Sequence, residues 1–195
     1  GSPTGTGRAA RFDGSHRIRV GRIDMDDWTD LTVSAWVNST SKATSMRVVS
    51  KDRIGTPGNF MLAYRNGAWT MQAWDDQAMA WCVASWRSES LRDGQWHSLI
   101  GVVDSRRAQV LLYVDGELKA EAPWTAKTLD DSDKSDLAIG ADLNGGLLYE
   151  FDGRLDEVRL WTRVVDQTEV QANLYGDTRV GGSAPGLVGY WALNG

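Results

Sequence analysis

E-F-D-G-R-L-D-E-V-R-L-W, running from Glu150 to Trp161, is the stretch whose reading decides the fold. It opens on a Phe-Asp-Gly turn and continues as an alternating strand. Side chains alternate along a strand, so Asp156, Val158 and Leu160 share one face and Leu155, Glu157, Arg159 and Trp161 the other. Asp156 is the one charged member of the Val158/Leu160 face, at the strand entrance. A carboxylate turned toward a β core is costly unless it is paired or bound to a cation. Near the other end of the chain, Arg11-Phe12-Asp13-Gly14 repeats the same F-D-G. The two strands are therefore expected to lie side by side, closing a β-sandwich, and to share a cation.

Working outward, short alternating runs separated by Gly, Asp and Asn turns recur along the chain, the pattern of an all-β sandwich. Strands are expected over His16–Val20, Leu31–Val37, Met46–Lys51, Asn59–Arg65, Trp69–Trp74, Met79–Arg87, Gln95–Asp104, Ala108–Val114, Leu137–Gly140 and Leu187–Leu193. In Leu31–Val37, Leu31, Val33, Ala35 and Val37 alternate against Thr32, Ser34 and Trp36. Asn66-Gly67 between two of these runs is a hairpin signal, because both residues accept positive φ. Thr125–Ser135 turns polar and reads as a loop. One helical signal follows Trp161: Asp166 as N-cap with Glu169 three residues on, then Val170, Leu174 and a stop at Gly176.

The 195 residues suit one large β domain. Residues 1–8 read as a linker and 9–195 as a single domain. A net charge of −5 disfavours binding to a phosphate backbone and suits cation sites or neutral sugars. The lone Cys82 has no partner for an internal disulfide, and no Cys/His cluster has zinc spacing. No run of about 18 apolar residues offers a membrane span. Ten Trp residues are an unusual load for either a core or a ligand platform.

R-F-D-G at 11–14, L-T-V-S-A-W-V at 31–37, D-G-Q-W-H-S-L at 93–99 and L-Y-V-D-G at 112–116 follow one another in the order found in laminin-G-like domains. So do L-A-I-G at 137–140, F-D-G-R-L-D-E-V-R-L-W at 151–161 and G-L-V-G-Y-W at 186–191. The chain thus resembles the laminin-G-like jelly-roll modules of the concanavalin A-like lectin/glucanase superfamily, from about Ala9 onward. The resemblance implies an all-β, two-sheet antiparallel jelly-roll sandwich with one short helix near the C-terminus. It also implies a structural calcium ion near the F-D-G edge and an extracellular setting within a longer protein.

For the cation, Asp13 and Asp156 are the expected carboxylates, with carbonyls from the turns around Ser15 and Asp30 completing an oxygen shell. Asp13 and Asp152 could equally do no more than cap tight turns before glycine. For a ligand, Trp74 differs in parity from Trp69 and Met71 and adjoins Asp75 in a loop. An indole beside a carboxylate suits a sugar: the ring stacks on C–H faces and the acid takes hydroxyls. Trp81, Arg87 and Tyr149, with Arg65, extend that set. Trp81 and Trp86 differ in parity, so one faces the core and one faces out. Trp28, Trp36, Trp96, Trp161 and Trp191 are expected in the core.

Glycan-cleaving relatives place carboxylates at period two on one strand. Glu150-Phe151-Asp152 begins such a pattern, but Gly153-Arg154 breaks it; Asp131-Ser132-Asp133 lacks a glutamate. His16 and His97 have no nearby nucleophile, and no nucleotide-binding or triad signature occurs. The expectation is a non-catalytic carbohydrate-binding module, calcium-stabilised, with a protein-interaction or spacer domain as the alternative. Nucleic acid and membrane insertion are not expected.

Overall fold

The computed structural model describes residues 8–52, 58–132, 134–143, 149–170 and 184–193. Among these residues, thirteen strands form two sheets: β1 (Ala10–Asp13), β2 (Ile18–Gly21), β3 (Leu31–Asn38), β4 (Ser45–Lys51), β5 (Phe60–Arg65), β6 (Ala68–Asp75), β7 (Ala80–Arg87), β8 (His97–Asp104), β9 (Gln109–Val114), β10 (Glu117–Pro123), β11 (Leu137–Ile139), β12 (Asp152–Trp161) and β13 (Leu187–Trp191). One sheet has seven strands in the order β1-β12-β3-β8-β9-β10, with β13 also on β12; the other has six, β2-β11-β4-β5-β6-β7. All the pairings are antiparallel. This is the two-sheet sandwich expected from the alternation.

The inward faces meet in one core. Leu31, Val33, Ala35 and Val37 from β3 and Leu99 and Val103 from β8 face Phe60, Leu62, Trp69 and Met71 of the six-stranded sheet. Burial of this apolar area is the main favourable term in the fold. The two F-D-G turns do pair: Phe12 lies opposite Gly153, and Asp13 opposite Asp152. Phe12 and Phe151 meet edge to face with centroids 6.3 Å apart. Gly140, at φ +79°, sits under Phe12, where a Cβ would run into the ring. Asn66 and Gly67 take φ of 50° and 86°, and Asp115 and Gly116 50° and 81°, closing two hairpins as Asn-Gly and Asp-Gly turns do.

Strand β10 was not among the expected strands, since Glu117–Pro123 is rich in weak β formers. It exists because the Asp115-Gly116 turn folds it back on β9. The capping box is realised: Asp166 Oδ1 accepts from Glu169 N at 2.9 Å, and Glu169 Oε2 from Asp166 N at 3.2 Å. The expected linker, apart from Arg8, and the helix stop at Gly176 lie outside the described residues. Asp133 does so too.

The polar stretch after Thr125 is not merely solvated. Asp131 is buried and pairs with the wholly buried Lys51 of β4. It also accepts from Met25 N at 3.2 Å. Removing one member of a buried ion pair strands the other charge, whereas removing both costs far less. Asp131→Asn is therefore expected to cost about 3–5 kcal/mol in urea denaturation. The Lys51→Met/Asp131→Leu double variant is expected to recover most of that loss, and equal losses for both would contradict a charge-stranding origin.

Candidate functional site on the outer face of the six-stranded sheet

Register assigns the outward side chains of this sheet. Arg47, Ala63, Thr70 and Ser85 lie opposite one another across β4 to β7; Ser50, Met61, Gln72 and Val83 form the next row. Arg65 and Arg87 flank Ala68 at one end, and Trp74 pairs with Trp81 at the other. The even-numbered β5 residues Phe60, Leu62 and Tyr64 belong to the core, which fixes the odd ones outward. In β4 a register shift between Arg47 and Val49 sets both Val48 and Val49 against the core, and so turns Arg47 and Ser50 out together.

Of the residues singled out from sequence, Trp74 and Trp81 are brought together. Their rings meet edge on, with centroids 5.8 Å apart and planes at 76°. Both remain half-buried, whereas Trp69 is fully buried and Trp86 packs on the core from the opposite face. Parity along β6 and β7 thus sorts all four. Gly58 lies against Trp81: a Cβ there would meet Trp81 Cη2 at 2.9 Å and the Asp52 carboxylate. The Asp52 carboxylate beside an indole is a feature the sequence reading missed, because 23 residues and a hairpin loop separate Asp52 from Asp75, the acid chosen instead.

Asp75 is a correction. It is wholly buried, and both its oxygens are engaged. Oδ1 accepts from Gln77 N at 3.0 Å and Ala78 N at 2.9 Å. Oδ2 accepts from Thr125 N at 2.5 Å, Thr125 Oγ1 at 2.8 Å and Ala126 N at 3.1 Å. It holds the β6–β7 turn to the strand-exit loop after β10 and has no oxygen left for a sugar. Burial opposes its ionisation, but the donors from Ala78, Thr125 and Ala126 outweigh burial and hold the carboxyl below its usual range. The same oxygen draws in the thiol of Cys82 at 3.7 Å, and burial with that charge pushes the thiol up to about 11, so it is not a reactive thiolate.

Arg87 is exposed at the far end of the same face, donating to Asn66 O at 3.3 Å. Tyr149 is also exposed, and its ring lies 4.9 Å from the Arg47 guanidinium carbon. Arg47 itself was not a candidate from sequence. Its parity matches Val49, and only the bulge separates the two.

The expected cation pair is not assembled. Asp13 lies opposite Asp152, four residues from Asp156 and so about 13 Å away along β12. Asp13 Oδ1 accepts from Ser15 N at 3.0 Å and Ser15 Oγ at 2.7 Å, and meets His16 Nδ1 at 2.7 Å. The Ser15 and then the His16 contacts hold its carboxyl well below the usual range. Asp156 does not face the core. Glu157 takes φ 53° at a register shift between Asp156 and Arg159, so parity reverses there. Leu155, Val158 and Leu160 face the core, while Asp156 lies opposite Trp36 and Arg159 opposite Ser34 on the outer face. Asp156 Oδ1 instead accepts from Glu157 N at 2.9 Å. The two acids therefore do not fit a shared calcium ion. Asp24, Asp26 and Asp131 do cluster, but Arg22, Lys134 and Lys51 already stand against them.

The outer face of the seven-stranded sheet is largely spoken for. Trp161, Val165 and Val170 pack on Ile100, Val102, Leu111 and Tyr113 there. Trp36 and Trp161, expected in the main core, line a small cleft on this face with Ser34, Ser98 and Arg159. Trp28 and Trp191 do pack on the main core; Trp124, not singled out from sequence, is buried in it. His97 is a structural residue, with Nδ1 2.8 Å from Asp115 and Nε2 3.2 Å from Asp93.

The two antiparallel sheets make a jelly-roll sandwich whose six-stranded outer face carries the half-buried Trp74–Trp81 pair at one end. The chain belongs to the Laminin G 3 family of the concanavalin A-like lectin/glucanases superfamily, whose model matches residues 12–171. No curated protein matches the sequence. Among solved structures, the fold is similar to that of a candidate carbohydrate-binding protein from Bacteroides ovatus, with TM-score 0.74 and 18% identity over 96% of this chain and 52% of that one. The chain thus spans about half the length of that protein. It is similar to the Ruminococcus gnavus IT-sialidase CBM40 bound to α2,3 sialyllactose, with TM-score 0.64 and 16% identity over 81% of this chain and 95% of that one. Domains LG4-5 of the mouse laminin α1 chain match with TM-score 0.61 and 15% identity, over 86% of this chain and 45% of that one.

The reassigned role of Asp75 is testable. Asp75→Asn is expected to lower stability at neutral pH by about 3 kcal/mol, because a buried acceptor of several N–H donors loses its charge. The stabilisation is complete above the ordinary carboxylate value of 3.8 and drains as pH falls below it toward the depressed native value. The gap in melting temperature between wild type and variant should accordingly close on acidification, and a gap independent of pH would count against the assignment.

Proposed function

We propose that this domain binds carbohydrate without cleaving it, on the outer face of its six-stranded sheet. The observation that carries this reading is the Trp74–Trp81 pair, which parity turns away from the core and leaves half-exposed beside the Asp52 carboxylate. Indole faces take sugar C–H surfaces, and a neighbouring carboxylate accepts from hydroxyls. Similarity in fold to the Bacteroides and Ruminococcus proteins supports the reading. Hydrolysis finds no support in the sequence, where Gly153-Arg154 breaks the period-two carboxylate pattern that Glu150-Phe151-Asp152 begins. A role as one module of a longer, secreted protein fits the same picture.

The alternative, an adhesion module, draws on the fold similarity to laminin LG4-5 and on exposed Met79 and Val83 beside the tryptophans. Glycan microarrays and retention on insoluble polysaccharides separate the two. Wild type is expected to bind at least one glycan, with Trp74→Ala and Trp81→Ala each weakening it about tenfold or more, the range of a lost stacking anchor. Absence of retention on every glycan, with unchanged folding, would leave adhesion as the better reading.

A further inference from the structure

The arginines of this chain are not evenly partnered. Arg17, Arg19, Arg22, Arg92, Arg107, Arg159 and Arg163 each lie within ion-pair distance of a carboxylate. Arg47, Arg65 and Arg87 have no such carboxylate among the described residues, nor do Arg11, Arg106 and Arg154 elsewhere, but the first three project together from the outer face of the six-stranded sheet. They occupy adjacent rows: Arg65 and Arg87 flank Ala68, and Arg47 stands one row in, opposite Ala63. A protein with a net charge of −5 thus places three guanidiniums without an ion pair among the described residues on the very face that carries the tryptophan pair.

Arg47 is the deepest of the three. It is 5% exposed, and its Nε and Nη1 have no hydrogen-bond partner among the described residues. The ring of Tyr149 covers its guanidinium. Asp52 and Asp142 act on it electrostatically without bonding it, and Arg65 is near enough to oppose its charge. A buried guanidinium with unused donors is costly to keep unless something accepts from it. Arg65 spends one weak bond on Gln72 Oε1 at 3.3 Å, and Arg87 one on a backbone carbonyl at the same distance.

Guanidinium forks match the two oxygens of a carboxylate. From the row of Ala68 and Arg87 to that of Trp74 and Trp81 is six residues along β6, or about 20 Å. That span exceeds one sugar ring and suits several in line. We infer that the ligand is an acidic oligosaccharide, its carboxylate held at the Arg47/Arg65/Arg87 end and a further sugar stacked at Trp74 and Trp81. This rests on the carbohydrate-binding reading and specifies its ligand. Between the two ends the accessible side chains are Val83 and Ser85 of β7, while Ala63 and Thr70 beside them are buried, so the line joining the arginines to the tryptophans runs along β7. Engagement of Arg47 beyond its outermost nitrogen requires the exposed Tyr149 ring to move aside.

Calorimetric titration with tetragalacturonate, its fully methyl-esterified form, 3′-sialyllactose and lactose tests this directly. At least one acidic probe is expected to bind about tenfold or more tightly than its uncharged counterpart, with the preference shrinking as salt rises. Which acid is preferred, uronate or sialate, tells the two sources apart. The Arg65→Gln/Arg87→Gln variant, altered only at exposed positions, is expected to lose that preference while keeping its melting temperature. Arg47→Gln reads the deeper contact if it folds. Equal binding of charged and uncharged probes, or binding of neutral polysaccharides alone, overturns the inference and leaves carbohydrate binding standing. No binding to any glycan, acidic or neutral, overturns both.

Discussion

Strand β12 is the constraint on which the rest of the molecule depends. It hydrogen-bonds to β3 along one edge and to both β1 and β13 along the other, so three strands from distant parts of the sequence take their register from it. Its opening residues meet the other F-D-G turn, and Phe12, Phe151 and Gly140 lock that corner by close ring contact. Midway, the bulge at Glu157 reverses which side chains face inward. Behind it, Tyr190 of β13 donates to Glu157, and Arg159 bonds the same carboxylate while stacking on Tyr190. A buried carboxylate with this many partners is satisfied, and it pins the strand in its irregular path.

Once β12 is set, the two outer faces have different fates. The chain leaving β12 folds back over the seven-stranded sheet, and Val165 and Val170 seal much of it. Nothing comparable among the described residues packs on the β6–β7 side of the other sheet, where Trp74, Trp81, Val83, Ser85 and Arg87 keep access to solvent. The half that carries the proposed ligand face is also the half built from hairpins with tight turns. Asp75 anchors one of those turns to the loop after β10, which holds the tryptophan pair in place. Asp75 thus serves the stability of this edge without itself lining the proposed ligand face.

How far the sequence could be read follows from where period two holds. Along β6 and β7 the strands are regular, and parity separates Trp74 from Trp69 and Trp81 from Trp86 as expected. Along β3 the alternation set Trp36 apart from Val33 and Val37, yet Trp36 was expected in the core and lies on the outer face. Along β4 and β12 a bulge shifts the count by one, so Arg47 was overlooked and Asp156 was assigned to the wrong side. A non-glycine residue at positive φ, such as Glu157, has no reliable sequence mark. Asp75 was misread for a different reason. An acid beside a tryptophan looks available in one dimension, and its partners at Thr125 and Ala126 lie 50 residues away. Lys51 and Asp131 are hidden in the same way, 80 residues apart.

The six-stranded sheet, and not the seven-stranded one, is proposed to present the ligand surface. Ten indole N–H groups distribute over both outer faces and the core, which makes them natural reporters. Two-dimensional NMR of the labelled domain titrated with an acidic oligosaccharide would follow them all at once. Shifts are expected at the indoles of Trp74 and Trp81 and at the side-chain N–H groups of Arg65 and Arg87, with Trp36 and Trp161 unmoved. Shifts confined to Trp36, Trp161 and the backbone around Arg159 would place the ligand on the opposite sheet and contradict it.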